Sequence, residues 1–308
     1  MRFERPQTCL FLLIFIFFTT ALALQAQEST DTTAVKPSYW KREIIGGINL
    51  NQATFSDNWR GGGVNSVAVG LTLSGKALYE KGKVTWVNEL QTQLGFLQQG
   101  ANQEDFRKNN DRLYLDSKLG YGVSSKWNLF ASTNFLSQFI KGYTYSGTDP
   151  VVATKISDFF APAFLTHTFG AEYKPASYFW VRFGVGGFRQ TFVVDQSFYE
   201  GGVEKVFGVN KGDIVRNELG LNLLANFDKN IAENVNLKLM YLMFANYHTA
   251  IKSSDNINHR IDLTLTAKIN SFMNVNLTAV ALYNNDMAAK MQFAQTLSLG
   301  VAYKFSEF

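Results

Sequence analysis

The chain of 308 residues has one cysteine, three histidines and no long apolar run beyond its N-terminal segment, and each scarcity removes a class of protein. Cys9 lies at the beginning of that apolar run, whereas a lipoprotein carries its cysteine at the end, beside the cleavage point. With the run removed, neither disulfide nor thiol chemistry is left, so an exported chain must draw stability from packing and from a closed hydrogen-bond ladder. Scattered histidines without a mature cysteine do not make a zinc site, and no cofactor is expected. The formal net charge is only +4 and the basic residues are dispersed, so no nucleic-acid partner is expected.

Arg2 and Arg5 precede the apolar residues 9–18, and Ala21, Ala23 and Ala26 follow as small residues near a cleavage point. The run is too short for a stable span and reads as a signal peptide over residues 1–26. Residues 27–40, with Pro37, read as a polar periplasmic leader, and residues 41–308 as the folded part. A composition of 46% hydrophobic and 15% aromatic residues, at a mean hydropathy of −0.08, is too polar for a helical membrane protein. It is also richer in aromatics than most soluble chains.

What the chain does have is alternation. Ile257, His259, Ile261, Leu263, Leu265 and Ala267 oppose Asn258, Arg260, Asp262, Thr264, Thr266 and Lys268, and the segments after them repeat the pattern. Side chains of a strand face two environments in turn, and here the two are apolar and polar. Strands of ten or more residues with that division mark an all-β fold, a closed antiparallel transmembrane β-barrel with a wet interior. Twelve strands are expected, at about 43–55, 64–78, 83–97, 112–123, 127–140, 160–174, 178–193, 214–227, 232–248, 256–270, 273–284 and 292–306.

The connections alternate as well. Short links at 80–82, 124–126, 175–177, 228–231 and 271–272 are interleaved with long ones at 56–63, 98–111, 141–159, 195–213, 249–255 and 285–291. Short periplasmic turns and long outer loops are the habit of outer-membrane barrels, so both termini are expected in the periplasm. Charge agrees with this: Arg216, Glu218, Lys238, Arg260, Asp262, Lys268 and Lys304 all share the polar parity. A soluble β-sandwich would also alternate, but with shorter strands, more Lys and Glu on its polar face and no such loop parity.

Some positions fit less simply. His167 and Asn88 fall on the apolar parity, and the alternation changes phase at Gly186 and Gly187, which a glycine bulge explains. Trp59, Trp127, Tyr143, Tyr145, Tyr173, Trp180, Tyr241, Tyr247, Tyr283 and Tyr303 lie mostly near strand ends, where interfacial girdles belong. Gly300, Tyr303 and Phe305, with Phe308, resemble the assembly signal that the barrel-insertion machinery recognises, although Phe308 is out of phase with Tyr303 and Phe305. The expected partners are therefore that machinery, periplasmic chaperones during export, and outer-membrane lipids.

Gly47, Ile48, Asn49, Leu50, Asn51, Gln52 and Ala53, then Phe55, Ser56, Asn58, Trp59, Gly61 and Gly62, are similar to the opening of an uncharacterised family of Bacteroidota outer-membrane barrels. Phe160 to Ala163, Tyr173 to Pro175, Glu233 to Val235, Phe244 to Tyr247 and Gly300 to Phe305 follow in the same order. The family is known only as a domain of unknown function. The resemblance implies location and barrel architecture, and brings no catalytic residues.

The inward face should carry a lumen charge network of Glu89, Arg112, Asp116, Lys118, Glu172, Arg182, Arg216, Glu218, Lys238, Arg260, Asp262 and Lys268. Interleaved signs fit either a salt-bridge network that fills the lumen or a narrow polar channel for an unidentified solute. A barrel enzyme hydrolysing lipid or peptide would need a base, and only His167, His248 and His259 are available, none set beside a serine and a carboxylate. An enzyme is not expected. The loops at 141–159 and 195–213 are long enough to bind a surface partner or fold inward as a constriction.

Overall fold

The computed structural model describes residues 38–53, 66–99, 106–146, 152–250, 252–253 and 256–306. Residues 1–26, expected as a signal peptide, and Trp59 and Phe308 lie outside the described residues. Tyr39–Phe308 form one unit. Its first strands are β1 (Trp40–Ala53), β2 (Ser66–Lys81), β3 (Val84–Gln99), β4 (Arg107–Gly122) and β5 (Trp127–Ser137). A loop hairpin, β6 (Gly142–Ser146) and β7 (Val152–Ser157), precedes β8 (Ala163–Ala176) and β9 (Phe179–Phe192). A second loop holds a 3-10 helix, Gln196–Gly202, and the short pair β10 (Lys205–Val206) and β11 (Val209–Asn210). The chain ends with β12 (Val215–Ala232), β13 (Val235–Asn246), β14 (Ile257–Lys268), β15 (Met273–Asn284) and β16 (Ala288–Ser306).

Twelve of these strands close a barrel in which each pairs antiparallel with its chain neighbour, and β1 pairs with β16 from Glu43 opposite Ser306 to Leu50 opposite Leu299. All twelve expected strands occur. The largest displacements, five residues, are at the start of β4 and the end of β12, where polar runs carry no alternation to mark a boundary. Tilted by about 40°, a 14-residue strand climbs roughly 35 Å, the thickness of a bilayer core. Among the described residues no helix is long and apolar enough to cross a membrane.

The outer face is apolar. Phe169, Val185, Phe293, Leu297 and Tyr303, from opposite sides of the barrel, are all more than 60% exposed, a display that water penalises and lipid chains accept. Trp40 meets Tyr79 in a tilted contact and Trp86 edge-on, and Trp127 lies 4.8 Å from Tyr173, at the end of the barrel that carries the short turns. Three expected girdle aromatics lie elsewhere. Tyr143 and Tyr145 belong to β6 in a loop, and Trp180 faces the lumen, its ring 4.1 Å from the Arg182 guanidinium.

The phase change at Gly186 and Gly187 is a bulge. β9 carries one more residue than either neighbour between Gly184 and the next paired position, Phe188 against His167 of β8 and Gly187 against Gly220 of β12. The insertion turns Arg189 onto the same face as Arg182. It also brings backbones close: a Cβ on Gly170 would sit 1.8 Å from the Phe183 carbonyl oxygen, so only glycine fits there.

Candidate functional site

Within the lumen, four charged side chains from β4, β8 and β9 meet near the short-turn end. Lys118 donates to both Glu172 oxygens at 2.7 and 2.6 Å, and Arg182 bridges Glu172 at 3.0 Å and Asp116 at 3.1 Å. Asn128 of β5 adds a bond to Glu172 at 3.2 Å. All four charged residues are nearly inaccessible to water, Glu172 at 2%. Such burial is tolerable only because each charge has an opposite partner and hydrogen bonds. The Arg182 guanidinium also faces Trp180 and Phe130, which close the space around it.

A second cluster sits toward the long-loop end. Arg189 contacts Glu218 at 3.1 Å, Arg216 contacts Glu218 at 2.9 Å and Asp286 at 2.6 Å, and Asn246 donates to Glu218 at 2.9 Å. Arg260 and Asp262, neighbours on one face of β14, pair at 2.6 and 2.7 Å. Half-buried Glu89 lies 3.7 Å from exposed Lys76, and Arg112 donates to Gln91 at 3.3 Å. Lys238 and Lys268 belong to no ion pair among the described residues; Lys268 ends β14 in solvent. Sequence reasoning passed over Arg189 and Asp286. Arg189 was readable, because the phase change that exposes the bulge also moves it inward.

The inner face is less polar than alternation suggests. Tyr114, Phe130, Leu224, Met240 and Phe244 all point inward and are buried, so the wall from β4 to β13 is filled by aromatic and aliphatic groups as well as ions. The opposite wall differs. Gly47, Asn49, Thr72, Ser74, Thr278 and Thr296, on the inner faces of β1, β2, β15 and β16, all keep access to water. One half of the lumen is therefore packed, while the other carries these small polar side chains with Ile45 and Leu282 among them, and on it Ser298 of β16 is buried.

At the long-loop end the connections fold together instead of straying. Val193 and Val209 are fully buried beside Ala161 and Tyr199, whose hydroxyl donates to the Val209 carbonyl at 3.2 Å. Burial raises the Tyr199 phenol above its ordinary value. Lys155 of β7 pairs with Asp195 before the 3-10 helix. Burial alone would raise the Asp195 carboxyl, but bonds from Lys155 and from Ser197 outweigh it and hold the group at about 2. Lys108 bonds the Ile140 carbonyl at 2.7 Å and Asp111 at 3.0 Å, and Asp111 accepts the Phe139 and Ile140 amides, which pins the loop to β4. Beneath this cap lies a cavity of about 450 Å³, reached by Phe207 from the tip of the β10–β11 hairpin and by Ile156 from β7. Phe207 has φ 50° and Gly208 φ 83°, both left-handed, as a two-residue hairpin turn requires.

The histidines belong to neither charge cluster, although His259 is among the residues around the cavity. His167 Nδ1 is 2.9 Å from the Thr133 hydroxyl and His259 Nδ1 is 2.8 Å from the Tyr241 hydroxyl, both pairs on the outer face. No carboxylate pairs with either ring among the described residues, and no group there of three metal-ligating side chains could hold an ion.

Residues 50–143 match the family described as a protein of unknown function, DUF3078. The match runs from the end of β1 into β6 and overlaps the opening stretch that carried the resemblance. No curated protein matches the chain. Similar solved structures include the translocator domain of autotransporter NalP from Neisseria meningitidis, at 12% identity and TM-score 0.34, covering 94% of this chain and 97% of that one. An outer membrane channel from Pseudomonas putida F1 gives 8% and 0.38 over 91% and 99%, and the Pseudomonas putida toluene transporter TodX gives 8% and 0.33 over 88% and 90%. Overlaps this shallow assign nothing to individual residues.

Proposed function

We propose that the protein is an outer-membrane barrel, with both termini on the periplasmic side, that passes small polar solutes through a narrow lumen. The observation that carries this is the asymmetry of the interior. Ion pairs and aromatic rings fill the β4–β13 wall, while Thr72, Ser74, Thr278 and Thr296 on the other wall remain wet. A path lined by hydroxyls and amides favours small hydrated solutes, and the loop cap narrows its outer end. The apolar exterior supports placement in a bilayer, the alternation of short turns and long loops supports the orientation, and β16 offers Gly300, Tyr303 and Phe305 as the segment read by the insertion machinery, with chaperones guarding it in transit.

Planar-bilayer recording from the purified, refolded protein tests the reading. Stable discrete openings are expected, and Thr296→Trp, which puts an indole on the wet wall, should lower their conductance. A wild-type barrel that migrates as folded on an unheated gel yet stays electrically silent would sink the proposal.

A further inference from the structure

One cation on the cavity wall has no carboxylate of its own in contact. Arg260 is taken by Asp262, Arg189 by Glu218, and Asp111 by Lys108 together with two backbone amides. Arg112 of β4 bonds only a neutral acceptor, Gln91 at 3.3 Å, and lies 5.1 Å from the Tyr114 ring. Its Nε is buried with no partner. Arg112 is half-buried, and the carboxylate that faces it, Asp262, is already bonded to Arg260, so two guanidiniums share one anion and the deficit is the kind that a bound anion fills.

The walls around Arg112 specify the rest of the ligand. Leu136, Phe164, Leu242 and Phe244 line the same cavity, and Phe207 covers it from the loop side. A volume of about 450 Å³ is ordinary for a small-molecule site. One unpaired positive charge calls for one negative charge. A dianion would carry an excess into a space where every other cation is already matched.

We infer that this cavity binds an organic monoanion, a carboxylate head on an apolar body, with Arg112 as the anchor of the head group. The inference rests on the reading that solutes reach the lumen, but not on their passing through it. Selectivity comes from two independent sources: Arg112 supplies planar donors for a carboxylate, and the aliphatic and aromatic wall supplies area for the body.

Calorimetric titration of the folded barrel in amphipol with octanoate tests it, using octanol and octylammonium as neutral and cationic probes of the same chain length. Saturable octanoate binding is expected, weakened about tenfold or more by Arg112→Gln and partly restored in Arg112→Lys. Octanol should bind wild type and Arg112→Gln alike. No saturable octanoate binding, equal binding to wild type and Arg112→Gln, or octylammonium binding as tight as octanoate would each overturn the assignment. If Arg112→Gln does not fold, Leu242→Trp fills the cavity without removing a charged residue and must abolish octanoate binding; retained binding overturns the site. A barrel that binds octanoate but never conducts keeps the site and loses the passage, whereas one that conducts but ignores octanoate does the reverse.

Discussion

Replacing Glu172 with alanine should cost the barrel about 3–5 kcal/mol, the usual penalty for removing one member of a buried ion pair. The magnitude follows from what is left behind. Glu172 accepts two bonds from Lys118, one from Arg182 and one from Asn128, at 2.6 to 3.2 Å, and is 2% exposed. Without it, two buried cations share Asp116 alone, and neither can turn to water. Urea unfolding in lipid vesicles reads the effect. With a slope of about 1–3 kcal/mol per molar urea, the midpoint should fall by 1 M or more. The double variant Lys118→Met with Glu172→Leu should recover most of the loss, because it removes the desolvation penalty with the charges and leaves Arg182 matched to Asp116. Glu80→Ala, which breaks the Lys41–Glu80 pair on the surface, should move stability by about 1 kcal/mol or less. If Glu172→Ala falls within that same small range, or if the double variant is as unstable as the single one, the quartet is not what holds this wall together.

Gly170→Ala should destabilise by about 1–3 kcal/mol in the same assay, since its Cβ would meet the Phe183 carbonyl at 1.8 Å, whereas Gly186→Ala, with nothing nearer than 3.6 Å, should be near neutral. Equal effects at the two positions would refute the close approach at the bulge. The Lys155–Asp195 clamp should depend on acid in one direction only. With the folded carboxyl at about 2, below an unfolded value of about 3.9, its contribution is full above pH ~4 and is lost as pH falls through about 2. With the pepsin rate at each pH normalised to an unstructured reference peptide, the loop at 195–213 should be nicked faster at pH 2 than at pH 4 in wild type, whereas Asp195→Asn should give equal normalised rates; a wild-type ratio that survives in Asp195→Asn would refute the clamp.

Strand positions were readable because a barrel strand needs no distant information: lipid on one side and lumen on the other impose the period of two along each segment by itself. Pairing inside the lumen is another matter. Parity places Arg182 and Asp116 on the inner face, but they are 66 residues apart with two strands between them, and only the curvature of the wall brings them within 3.1 Å. β13 shows where alternation stops deciding anything: Leu239, Tyr241 and Met243 face out while Met240, Leu242 and Phe244 face in, so both faces are apolar. The core of the loop cap, Val193, Tyr199 and Val209, has no period to read at all. Nor does inner-face volume separate the two walls: Gly47, Gly70 and Gly300 occupy inner positions on β1, β2 and β16, but Gly120, Gly170, Gly184 and Gly220 occupy them on β4, β8, β9 and β12, between Tyr114, Phe130, Arg182 and Phe244. The filled wall is made by pairing across strands, as in the contact of Arg182 with Asp116, and that is what a period along one strand does not carry.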